Sequence, residues 1–150
     1  MTKNNPIKVL LVEDNPDHAE ITMKALEKGG CVKKINIVTD GEQALCYLRG
    51  EGDYADRVKF PIPELVLLDI KLPKVDGIEV LRTIKHDPVL KKIPVIILTT
   101  SENDKDVADA YTEGANSYIA KPVSFEKFIA KITDLGLYWV DTNILPRVDE

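Results

Sequence analysis

Residues 64–77 read ELVLLDIKLPKVDG. Leu65, Val66, Leu67 and Leu68 form an unbroken apolar run, which is what a strand covered on both faces of a parallel sheet requires. The run stops on Asp69, and the chain then breaks through Pro73 and Gly77. A carboxylate therefore stands at the lip of a strand whose other residues belong in the core.

Working outward, the same pattern recurs. Ile7 to Val12 (IKVLLV) is a second continuous apolar run, and it ends on Glu13-Asp14. Asn15-Pro16 then supplies an N-cap and a first-turn proline for a helix carrying Ile21, Ala25 and Leu26, which Gly29-Gly30 is expected to stop. Ile35 to Thr39 (INIVT) reads as a strand, and Asp40 caps a helix with Ala44, Leu45 and Leu48 on one face. The stretch GEGDYADRVKFPIP, residues 50–63, is rich in Gly, Pro and charge and reads as a long surface loop.

Beyond Gly77, residues Ile78, Val80, Leu81 and Ile84 keep helical spacing until Asp87-Pro88. Pro94 leads into the strand VIILTT, and Ser101 with Asp104 is expected to cap a helix holding Val107, Ala108, Ala110 and Tyr111, closed by Gly114. Ser117 to Ala120 (SYIA) is a short fifth strand, broken by Lys121-Pro122. Ser124 then caps a last helix with Phe125, Phe128, Ile129, Ile132 and Leu135 at helical spacing.

Five β-α units predict an α/β fold. The expectation is a doubly wound five-stranded parallel sheet of flavodoxin-like order 2-1-3-4-5, with helices on both faces and right-handed crossovers. A length of 150 residues fits one domain, here residues 1–137, followed by a tail over 138–150. With 25 acidic against 20 basic residues there is no basic footprint for direct nucleic-acid binding. The apolar run at Val9 to Val12 is too short for a secretion signal or a membrane span, so a cytoplasmic protein is expected. Cys31 and Cys46 lack zinc spacing and read as ordinary semi-buried thiols.

Ligands of such sheets gather outside the carboxyl ends of the strands. There this chain places Glu13-Asp14, Asp69, Thr99-Thr100 and Lys121-Pro122. In order 2-1-3-4-5 the first and third strands are neighbours roughly 5 Å apart, so three carboxylates converge. Their repulsion calls for a cation, and an all-oxygen donor set without His or Cys points to Mg²⁺. Asp69 can then attack phosphorus to give an acyl phosphate, with the Thr99 hydroxyl and the Lys121 ammonium taking the remaining oxygens. Taken singly, Asp69 also suits a turn or cap, and Glu13-Asp14 also suits a helix N-terminus.

Four segments, VLLVEDN (Val9 to Asn15), LVLLDIKLPKVDG (Leu65 to Gly77), PVIILTTS (Pro94 to Ser101) and GANSYIAKP (Gly114 to Pro122), resemble the receiver domain of two-component response regulators, in that family's order and spacing. The resemblance implies Asp69 as phosphoacceptor, loaded from a phosphohistidine of a sensor histidine kinase. It implies Asp14 as direct Mg²⁺ ligand, Glu13 as its water-mediated partner and the backbone carbonyl of Lys71 as a further ligand. Thr99 resembles the switch hydroxyl, Tyr118 the aromatic that turns inward after it, and Lys121 the phosphate-binding lysine, with a cis peptide expected before Pro122. The long loop and the tail LYWVDTNILP are similar to those of single-domain regulators that partner bacterial phytochromes.

Three positions depart from the family pattern. Lys71 and Ser101 stand two residues beyond Asp69 and Thr99, flanking the path of the hydrolytic water, and Thr100 fills a place that usually holds a smaller residue. A long-lived phosphoryl group is expected. The reading is a phosphorelay receiver without an output domain and not an enzyme in its own right. Its output is a contact with a downstream protein, and the apolar tail around Tyr138, Trp139 and Ile144-Leu145-Pro146 suggests a homodimer. The alternatives are a constitutive receiver-like binding module that is never phosphorylated, and a small phosphatase with an aspartyl intermediate. The second usually needs an aspartate where Lys71 stands, and a nucleotide-binding fold is disfavoured because the first β-α turn, VEDNPD, has no glycine.

Overall fold

The computed structural model describes residues 7–28 and 32–146. The helix stop expected at Gly29-Gly30, and Cys31, lie outside the described residues. The elements are β1 (Ile7–Val12), α1 (Pro16–Lys28), β2 (Val32–Val38), α2 (Gly41–Arg49), β3 (Leu65–Leu68), α3 (Gly77–His86), β4 (Val95–Thr99), α4 (Asp104–Thr112), β5 (Ser117–Ala120) and α5 (Phe125–Leu135). All strand pairs are parallel, in the order β2-β1-β3-β4-β5, as the sequence predicts.

Strand alternation divides the core into two layers. Leu10, Val12, Val66, Leu68, Val95 and Ile97 face α2, α3 and α4, meeting Leu48, Leu81, Ile84 and Ala110. Val9, Leu11, Leu65, Leu67, Ile96 and Leu98 face α1 and α5, meeting Leu26, Phe128, Ile132 and Leu135. Every residue of β3 is fully buried, so each of its four side chains contributes roughly 1.5–3 kcal/mol of hydrophobic stabilisation.

Local chemistry sets the helix ends. Asn15 Oδ1 accepts from the N–H groups of Asp17 and His18 at the start of α1, and Asp40 Oδ1 accepts from Gln43 N–H at the start of α2. The cap of α4 is Asn103, whose side chain accepts from Lys105 N–H, in place of the expected Ser101-Asp104 box. Ser101 is drawn away from that role because its hydroxyl donates to Asp106.

The loop over residues 50–63 is folded onto α2. Arg57 donates to the carbonyls of Tyr47, Leu48 and Phe60, closing the C-terminus of α2, while Phe60 meets Tyr47 and Tyr54 edge to face and the two tyrosines pack at a tilt. The last helix runs on into wider π-type turns over Gly136–Thr142. Trp139 of this extension and Leu145 beyond it pack against the core layer beneath α1 and α5, while Leu137, Tyr138 and Ile144 remain exposed. On α5 itself, Phe128, Ile132 and Leu135 face the core, whereas Phe125 and Ile129 point to solvent.

Candidate functional site at the carboxyl edge of the sheet

Three strands deliver the site by extending their ladders one residue past the end. Glu13 N–H donates to the Val38 carbonyl at 3.0 Å, Asp69 N–H to the Val12 carbonyl at 3.1 Å, and Lys121 N–H to the Thr99 carbonyl at 2.6 Å. Each backbone is thereby locked in sheet register, and the three side chains project over the same rim. Gly77 completes the seat. A Cβ at Gly77 would lie 2.1 Å from the Asp69 carbonyl oxygen, so only glycine lets α3 begin this close to the acid.

Glu13, Asp14 and Asp69 each place a carboxylate oxygen within 4.8 Å of the others. Glu13 and Asp69 are buried and Asp14 is exposed, so the cluster opens to solvent on one side. Opposite stands Lys121, 8% exposed, whose ammonium reaches Glu13 Oε1 in a close ion pair and Asp69 Oδ2 at 3.3 Å. Three carboxylates against one ammonium leave two uncompensated negative charges, which is the charge of one divalent cation. An all-oxygen set with one open side suits a hard ion that keeps part of its water shell. Burial raises the Glu13 carboxyl above its ordinary range, against the hydrogen bond and charge of Lys121.

The other expected residues frame this pocket. Thr99 ends β4, fully buried, and its hydroxyl faces Ser101 N–H at 3.5 Å. Tyr118 donates from its hydroxyl to the Ser101 carbonyl at 2.9 Å, tying β5 to the loop that leads into α4. Lys71 N–H donates to Asp69 Oδ1 at 3.3 Å, which sets its backbone beside the carboxylate. The Lys71 side chain turns away, with its ammonium 3.6 Å from Asp106 of α4, and Asp106 also accepts from Ser101 Oγ at 2.6 Å. Thr100 is exposed. The Lys121-Pro122 peptide is trans, against the cis bond expected, in keeping with the roughly 0.5–1 kcal/mol intrinsic preference of such bonds.

A further group joins the site. His18 follows the acidic pair in the first turn of α1, a place close to the pocket that reads in the sequence as surface, and it is half-buried with Nδ1 3.1 Å from the Lys121 ammonium. His86, by contrast, meets the Arg82 carbonyl at the end of α3, as expected of a histidine closing a helix.

Comparison with known proteins agrees with this geometry. The family model described as the response regulator receiver domain matches residues 9–133. The probable methanogenesis regulatory protein FilR2 of Methanothrix harundinacea is 44% identical over 143 residues, covering 95% of this chain and 89% of that protein. Response regulator Rcp1 of Synechocystis sp. is 37% identical over 145 residues, covering 96% and 97%; its Mn²⁺-bound crystal structure superposes with a TM-score of 0.87. The crystal structure of the phosphorylated cyanobacterial phytochrome response regulator RcpA superposes with a TM-score of 0.90 at 39% identity, covering 95% of this chain and 99% of that one.

Proposed function

The chain belongs to the response regulator receiver family, and from that premise we propose that Asp69 is its phosphoacceptor, served by Lys121 and Thr99 and read out through Tyr118. The observation that carries this reading is the meeting of Glu13, Asp14, Asp69 and Lys121 in one pocket from three separated stretches of chain. In the transfer an Asp69 carboxylate oxygen bonds to phosphorus while the P–N bond of a phosphohistidine breaks, and the departing imidazole takes up a proton. Lys121 already faces Asp69 Oδ2, so its ammonium is placed to take a phosphoryl oxygen. The buried Thr99 hydroxyl serves a second oxygen.

Glu13, Asp14 and Asp69, with the Lys71 carbonyl, are the ligands proposed for Mg²⁺, which when bound supplies positive charge to the phosphoryl oxygens. The Mn²⁺ form of Rcp1 supports a divalent ion in this class of site.

The readout is a population shift, not turnover of a substrate. Thr99 reaches toward Ser101 N–H, and Tyr118 holds the Ser101 carbonyl, so a Thr99 hydroxyl redirected to phosphate loosens the loop on which Tyr118 is docked. The face altered is made by α4, β5 and α5. A sensor histidine kinase is the phosphodonor, and the likeness to RcpA supports one of phytochrome type. Among the described residues no helix is long and apolar enough to cross a membrane, and we place the exchange in the cytoplasm. A downstream protein and a second copy of the chain are the partners of the switched face.

The test is intact-mass measurement after incubation with acetyl phosphate and Mg²⁺. The native chain gains one phosphoryl group and Asp69→Asn gains none. A native chain that gains no mass discards the phosphoacceptor assignment.

A further inference from the structure

The Lys121 ammonium has three N–H groups, and three acceptors face it: Glu13 Oε1, Asp69 Oδ2 at 3.3 Å and His18 Nδ1 at 3.1 Å. Two of these acceptors are carboxylates of the cation cluster. Their oxygens are the ones that an incoming phosphoryl group and its divalent ion draw upon. The imidazole is the one partner outside that competition.

The ring is itself held from two sides. Its backbone N–H is fixed by the Asn15 cap of α1. The ring meets Phe128 of α5 in a T-shaped contact, with centroids 5.5 Å apart at 79°, and Phe128 is buried. A group anchored to both α1 and α5 thus fixes an ammonium supplied by the end of β5.

We propose that His18 is a positioning residue for phosphoryl transfer: its Nδ1 accepts one N–H of Lys121 and keeps the ammonium aimed at Asp69 when the carboxylate partners are claimed by the phosphoryl group and metal. The ring carries its own proton on Nε2 in this arrangement. The inference rests on Asp69 being the phosphoacceptor. It differs from a packing role, in which His18 only fills the space beside Phe128.

Two substitutions separate the roles. His18→Phe keeps an aromatic edge against Phe128 and removes the acceptor. His18→Asn removes the ring and keeps an acceptor oxygen near the position of Nδ1. The rate of mass gain with acetyl phosphate in saturating Mg²⁺ is measured for native, H18F and H18N proteins, with thermal unfolding of each to confirm that it is folded. Positioning predicts that H18F is slowed roughly tenfold, the scale of one lost hydrogen bond to a charged group, and that H18N recovers most of the rate. An H18F chain as fast as native, or H18N slower than H18F, overturns the proposal while leaving Asp69 as acceptor. A native chain that gains no mass removes both.

Discussion

Lys121 and Glu13, 108 residues apart in the chain, form an ion pair with both side chains only 2% exposed. A buried pair of this kind contributes little net stability, yet removing one member leaves the other charged and unpartnered. Lys121→Met is expected to destabilise the metal-free protein by about 3–5 kcal/mol in urea unfolding. Added Mg²⁺ should restore part of that loss, because a divalent ion offsets two of the three negative charges that Glu13, Asp14 and Asp69 hold once the ammonium is gone. A variant as stable as the native chain, or one indifferent to Mg²⁺, contradicts this balance of charge.

Gly77 supports the same site from below. Because a Cβ there meets the Asp69 carbonyl at 2.1 Å and the Ile70 Cα at 2.7 Å, both backbone atoms, no side-chain rotation relieves the clash. Gly77→Ala should therefore cost more than the typical 1–3 kcal/mol of an overpacked core, and should slow Asp69 phosphorylation in parallel. Denaturant midpoint and rate of mass gain are the two measurements.

The strands and the acidic rim were legible because β1, β3 and β4 are short apolar runs that end abruptly on polar residues, whereas the strand order follows from doubly wound folds as a class and not from any one run. What escaped depends on contacts between distant segments. Nothing near His18 in the sequence announces that Lys121 and Phe128 will close over it. Ser101 and Asp104 have capping spacing, but Asp106, two residues further on, takes the Ser101 hydroxyl and leaves Asn103 as the cap. The tail reads as apolar surface, yet Trp139 and Leu145 find the core layer of α1 and α5. The loop over 50–63 reads as a long surface loop, and its composition does not announce that one guanidinium binding three carbonyls folds it onto α2.

Lys71 makes the lifetime of the acyl phosphate testable. Its ion pair with Asp106 is two-thirds exposed on the lysine side, so it holds about 0–1 kcal/mol and yields readily to a phosphoryl group at Asp69. The released ammonium then screens the phosphoryl charge and stands in the path of water. Native protein should keep its phosphoryl group for minutes or longer in Mg²⁺ buffer, and Lys71→Ala should shorten that lifetime severalfold. Loss within seconds from the native chain, followed by intact mass, contradicts the screening role.

Acid should weaken the fold through His18. Burial first, and the Lys121 ammonium second, lower its pKa below the ordinary 6.5, against the pull of Asp69, Asp17 and Asp14. Below pH 6.5 the unfolded chain therefore binds more protons here than the folded chain does, and stability falls with pH down to the folded value. Above 6.5 the contribution is complete. Glu13, raised by burial, acts with the opposite sign above 4.5, so the native curve alone mixes the two. The difference in unfolding free energy between native and His18→Asn proteins isolates the histidine, and that difference should shrink as pH falls from 6.5. A difference independent of pH removes the assignment.

The exposed apolar residues beyond the core face define the last expectation. Phe125 and Ile129 lie one turn apart on the outer side of α5, and Leu137 and Tyr138 continue the exposed apolar surface past Gly136, all more than two-fifths exposed. Beside them a cavity of about 470 Å³ runs between β5, at the edge of the sheet, and Lys131, Leu135, Tyr138 and Trp139. A second copy covering this surface buries apolar area that a monomer leaves in water. Cutting the chain after Gly136 is a poor test, because it also strips Trp139 and Leu145 from the core layer they cover. Ile129→Glu and Leu137→Glu change only exposed positions, so the fold should keep its denaturant midpoint within about 0.5 kcal/mol. Sedimentation or light scattering should show a dimer for the native protein and a monomer for the double variant. If native and variant proteins are both monomeric, before and after phosphorylation, the apolar strip faces the downstream partner instead of a second copy.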